Sequence, residues 1–167
     1  MDKVESARLP RTFNGPLEAG LRLVALLGAA YPRAYDLHRL TAFDYLLVHT
    51  NDINEPSSLH PPAPLQSAEI LVRRELLERA LRLLMTRDLV EREANAKGIR
   101  YSAGENAAPF LASVESEYLL ALKDRAAWLV DELGDLSDEQ FRGNMRDFFA
   151  HWVEEFQAIE QSLGADT

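Results

Sequence analysis

The sequence contains no cysteine. That excludes a disulfide framework and any thiolate metal site, and it fits a reducing compartment. Long apolar runs are also missing. The best candidate, residues 21–31, is interrupted by Arg22 and falls short of the roughly 18 residues needed to cross a bilayer. The opening segment, MDKVESARLPRTF, has no apolar h-region, so no secretory signal is expected. A cytoplasmic protein without a membrane segment is the expectation. Catalytic signatures are absent too: no GxxxxGK[ST] phosphate loop, no GxGxxG with strand–helix alternation, no HExxH and no GxSxG. His38, His49, His60 and His151 do not stand three or four residues apart, as helix-borne metal pairs do. No catalytic residue, cofactor or metal site is therefore expected. Basic residues are in deficit, with 18 Lys and Arg against 27 Asp and Glu, a formal net charge of −9. Phosphate affinity comes from Lys and Arg displacing counterions, so such a chain is repelled by nucleic acid at long range.

What is present is helical. The 167 residues are 47% apolar, enough for one ordinary core. The organising stretch runs from Ser67 to Gly104. Its first half predicts an amphipathic helix over 68–86, with Ser67 as N-cap. Ile70, Leu77, Ala80, Leu81 and Leu84 fall on one side; Glu75, Glu78, Arg79, Arg82 and Thr86 fall on the other. Glu75 with Arg79 and Glu78 with Arg82 are i,i+4 pairs of about 0.2–0.5 kcal/mol each, and they would neutralise two arginines. The second half predicts a β-hairpin: Leu89 to Glu93, a turn over Asn95 to Gly98, then Ile99 to Ser102. Its charges are mixed, so it is no basic finger. A helix followed at once by such a hairpin resembles the third helix and wing of a winged-helix domain. That fold does not settle function. The fold class expected is mainly α, a winged-helix-like domain with a C-terminal helical extension. The expected division is a flexible arm over 1–12, the winged-helix-like domain over 13–104 and the extension over 105–167.

Asn14-Gly15-Pro16 predicts the start of a helix running to about Tyr31 that is apolar on nearly all sides, as buried helices are. Asp36 is placed to cap the next helix, Leu37 to about His49. Asp44 sits there among apolar neighbours, and the expectation is a carboxylate paired with Arg39 or a nearby backbone group. Residues 50–66 form a proline-rich loop in which Pro61-Pro62-Ala63-Pro64 favours an extended, surface-lying segment. After the hairpin come a short helical stretch to about Val114, a helix over 116–133 stopped by Gly134, and a capping box, Ser137-Asp138-Glu139-Gln140. The last helix, 138–163, would be about 39 Å long. It carries Phe141, Met145, Phe148, Phe149, Trp152 and Phe156 on one stripe, more aromatic surface than a solvent-facing extension carries. Candidate partner contacts are His60, Pro61 and Pro62 in the loop, Arg73 and Arg74 on the helix before the wing, and Phe149, Trp152 and Phe156 at the end.

Four segments carry a family resemblance: TFNGPLEAGLRLVALL, DLHRLTAFDYLLVHTND, PSSLHPPAPLQSAEILVRRELLERALRLLMTRDLVER and GIRYSAGENAAPFL. Together they resemble the small middle component of bacterial ABC three-component systems of the Lamassu-type anti-phage and anti-plasmid defence class. The resemblance covers roughly Thr12 to Trp128. It implies a non-enzymatic bridging and regulatory subunit. Its partners would be an SMC-like or Rad50-like coiled-coil ATPase and an effector, often a nuclease, with DNA touched only indirectly through the complex. The alternative is a winged-helix transcription regulator inserting Arg73, Arg74 and Arg87 into a DNA groove.

Overall fold

A computed structural model describes residues 15–48 and 66–148. The expected arm, the loop with His60, Pro61 and Pro62, and the C-terminal stretch with Phe149, Trp152 and Phe156 lie outside the described residues. The elements in order are α1 (Pro16–Ala30), α2 (Leu37–Val48), α3 (Gln66–Met85), β1 (Val90–Asn95), β2 (Gly98–Ala103), α4 (Ala107–Ala112), α5 (Glu117–Leu133) and α6 (Asp138–Phe148). The fold is mainly α with one antiparallel hairpin, in a winged-helix-like arrangement.

The apolar girth of α1 makes it the central helix. It packs against α2, α3, α4, α5 and β2, and Leu23, Val24, Leu26 and Leu27 are fully enclosed. Its proline occupies the first turn, and the N-cap is Gly15, without a side-chain hydrogen bond. Asp36 does cap α2, its Oδ1 accepting from the Arg39 amide at 2.8 Å. Helix α3 starts at Gln66, so Ser67 lies inside the helix instead of capping it. The hairpin closes with a two-residue turn, Ala96-Lys97, in the register Asn95↔Gly98, Ala94↔Ile99, Arg92↔Tyr101. Asn95 Oδ1 accepts from the Lys97 amide, and Gly98 takes φ of +116°, open to glycine at no steric cost. Tyr35, in the α1–α2 connection, adds a single bridge to Tyr101 through two backbone hydrogen bonds of 2.8 and 2.9 Å. That bridge ties the wing to the helical core.

The C-terminal elements share the same core. Leu122, Ala126, Leu129 and Val130 of α5 and Phe141 and Met145 of α6 are buried with residues of α1 and α2. Ser116 caps α5 by accepting from the Leu119 amide. The capping box at α6 forms reciprocally: Gln140 N donates to Ser137 Oγ at 3.1 Å and Ser137 N to Gln140 Oε1 at 3.0 Å. Gly134 stops α5 in a right-handed conformation, so positive φ is not what it provides. A Cβ there would stand 2.4 Å from the Val130 carbonyl oxygen.

Candidate interaction surface

Asp44 is fully buried, and its expected partner is corrected: it is held by Arg22 and Arg73, not by Arg39. Arg22 Nε donates to Oδ1 at 2.7 Å and a second guanidinium nitrogen to Oδ2 at 3.3 Å; Arg73 donates to Oδ2 from α3. Burial by itself raises a carboxyl pKa, but the two guanidiniums and their hydrogen bonds outweigh it and hold Asp44 below the ordinary range. Tyr118 of α5 stands beside Arg22; burial raises its hydroxyl pKa, and Arg22 opposes the shift. The cluster joins α1, α2, α3 and α5. It also corrects the placement of Arg73, which is 5% exposed and turned inward, away from any partner or DNA groove.

Arg39 has another task. Its guanidinium lies 4.8, 5.4 and 4.5 Å from the ring centres of Tyr35, Phe43 and Phe141. One nitrogen donates to the carbonyls of Leu133 and Gly134, and Asp138 stands 3.5 Å away. The buried face of α2 is thereby fixed to the α5–α6 corner, with cation–π attraction strengthened by exclusion of water.

A polar groove lies between α3 and the wing. Its volume is about 700 Å3, and it is lined from α3 by Arg74, Glu78 and Arg82 and from the wing by Arg92, Ile99 and Tyr101. Arg74, Glu78 and Arg82 recur every four residues, so they form one stripe along α3. Arg79 pairs with Glu75 at 3.3 Å on the exposed surface, as expected. Glu78 and Arg82 do not form the second expected ion pair among the described residues, and Arg82 faces the groove. On the other side of α3, Leu17, Leu21, Val24, Leu83 and Phe110 bound an apolar hollow of about 200 Å3. Among the described residues, no group of three or more His, Cys, Asp or Glu side chains is placed to hold a metal ion. No described helix is long and apolar enough to cross a membrane. Of the predicted contacts among the described residues, Arg74 lies in the groove and Arg73 does not; Arg82, Arg92, Ile99 and Tyr101 were not anticipated. The four-residue spacing of Arg74, Glu78 and Arg82 was the available signal.

The described residues thus form a winged-helix-like core around one helical hub, with a buried ion cluster and a charged groove on its surface. The chain's family follows from comparison with known proteins. The model of the ABC-three component (ABC-3C) system Middle Component 2 family matches residues 12–155. The chain belongs to that family and is thus a middle component of an ABC three-component system. No curated protein and no solved structure gives a significant match.

Proposed function

We propose that this chain is a non-catalytic bridging and regulatory subunit of an anti-phage and anti-plasmid defence complex. In that role it links an SMC-like or Rad50-like coiled-coil ATPase to an effector nuclease in the cytoplasm and meets DNA only through the complex. The observation that carries the reading is the family match over residues 12–155. The Lamassu-type assignment rests on the resemblance of the segments around SLHPPAPLQSAEILVRRELLERAL. His60, Pro61, Pro62, Phe149, Trp152 and Phe156 are the proposed partner contacts, together with Arg74. The inward-turned Arg73 is left out of that set.

Co-expression with the proteins encoded by adjacent genes tests the reading, with complex formation followed by size-exclusion chromatography and mass spectrometry. The expected result is a stable assembly containing an ATPase and an effector. Within it, Trp152→Ala and Phe156→Ala keep the circular dichroism of the parent and weaken partner retention, since central aromatics often contribute about 2 kcal/mol or more. Unfolding of both variants would assign the stripe to the core instead. One observation favours the second reading, a winged-helix regulator: Arg74, Arg82 and Arg92 are exposed around one groove. A homodimer that binds a defined operator tightly at physiological salt would establish that reading and sink the bridging one.

A further inference from the structure

We propose that the groove between α3 and the wing receives an acidic, amphipathic segment of a partner subunit. The inference rests on the bridging role and names the surface and the chemistry that serve it. The wing sorts its charges by strand parity. Residues directly opposite in an antiparallel pair share a face, and the faces alternate every residue. The register therefore puts Arg92, Ala94, Ile99 and Tyr101 on one face and Glu91, Glu93, Arg100 and Ser102 on the other. The first face is the one that lines the groove. Hence the hairpin, mixed in charge along the sequence, turns Arg92, Ile99 and Tyr101 toward α3 and Glu91, Glu93 and Arg100 away.

Across the groove, α3 contributes Arg74 and Arg82. Three arginines thus converge on a chain whose formal net charge is −9, and none has an ion-pair partner among the described residues. Between them the accessible apolar lining is Met85 from α3, Leu37 from the start of α2 and Ile99, which is 40% exposed, from the wing. Arginine, methionine and tyrosine bordering an apolar floor are typical of a protein-binding surface. Two carboxylates, Asp36 and Glu78, also line the groove. They would weaken the hold on a phosphate backbone, whose affinity comes from Lys and Arg displacing counterions. A peptide can set its own carboxylates against the arginines and its apolar side chains against Met85 and Ile99, leaving Asp36 and Glu78 at polar positions. The helix-in-groove mode supplies that alternation at i, i+3, i+4 spacing.

The test uses the full chain in its assembled complex, with a photo-crosslinking phenylalanine in place of Ile99. The expected product is a crosslink to one partner segment rich in Asp and Glu with apolar residues at helical spacing. R74E/R82E/R92E should abolish that crosslink and weaken retention of the partner about tenfold or more. The neutral set R74Q/R82Q/R92Q should weaken it less, and both sets should keep the parent's circular dichroism because all three side chains are exposed. A crosslink to a basic segment, or to a duplex oligonucleotide included in the reaction, overturns the proposal. So does an intact complex with no crosslink at position 99, an outcome that leaves the bridging reading standing. If the unmodified chain assembles with no partner at all, the bridging reading itself fails and the proposal fails with it.

Discussion

A carboxylate without solvent contact is stable only where other groups replace its water, and Asp44 has two guanidiniums doing so. Replacing it by asparagine leaves Arg22 and Arg73 buried against a neutral amide. Loss of one partner from a buried ion cluster costs about 3–5 kcal/mol. Urea titration of Asp44→Asn at pH 7 should therefore show a much lower midpoint than the parent. The pH dependence has a definite sign. The folded-state pKa lies below the ordinary 3.8, so the unfolded chain binds the proton more tightly. The stabilisation from this group is complete well above 3.8 and is lost as pH falls through that value toward the folded pKa. The gap between parent and Asp44→Asn should accordingly narrow from pH 7 to pH 3; a constant gap would show that the charge of Asp44 does not matter. Sequence pattern marked Asp44 as paired, because a charge on an apolar stripe must be. It did not give the partners. Arg22 and Arg73 lie 22 and 29 residues away, and only the packing of three helices brings them together.

At the scale of elements, periodicity, capping signals and apolar content located the described helices, and the hairpin was legible from Gly98 and its flanking alternation. What escaped was contact between elements. The expected fault lines, Ser67 as a cap and Arg39 as the partner of Asp44, were both inferred from neighbours in sequence, whereas α3 begins earlier and Arg39 reaches across to α5. Wing parity was implicit in the two-residue turn, but which face met α3 was not. Gly134 illustrates the same limit. Read along the chain it is a helix stop that favours positive φ; in the fold its φ is −69°, a value any residue adopts. Alanine there would ordinarily stabilise by about 0.4–1 kcal/mol through the unfolded state. Here the added Cβ meets the Val130 carbonyl oxygen at 2.4 Å and an Arg33 nitrogen at 2.8 Å. The Gly134 carbonyl also accepts from the Tyr35 hydroxyl at 3.1 Å and from Arg39 at 3.3 Å, so a shift of the backbone disturbs both bonds. Gly134→Ala should lower the melting temperature, with overpacking of about 1–3 kcal/mol exceeding the entropic gain. A raised melting temperature would mean that the corner relaxes freely.

At the scale of the whole molecule, the described elements pack as one core, and this bears on how a bridging subunit would transmit force between partners. Helix α1 is covered on one side by α3 and on another by α5, while the wing reaches α6 through Arg100 and Asp138, 2.6 Å apart. A chain ending at Gly104 would keep the helix–wing unit and lose α5 and α6. It would uncover the surface that now meets Leu122, Leu129, Val130 and Phe141, none more than 2% exposed. At about 1.5–3 kcal/mol for each large apolar side chain, those four represent roughly 6–12 kcal/mol. Total stability of a domain is only about 5–15 kcal/mol. The truncated chain should therefore bind a hydrophobic dye, aggregate on concentration and melt without a cooperative transition, although its circular dichroism still reports helix. Cooperative unfolding of that fragment would instead make residues 13–104 a domain in their own right, with α5 and α6 docked on it. In that event partner binding at the groove and at the C-terminal end could be separated onto two fragments. With a single cooperative unit they cannot, and substitutions at either end should alter unfolding of the whole.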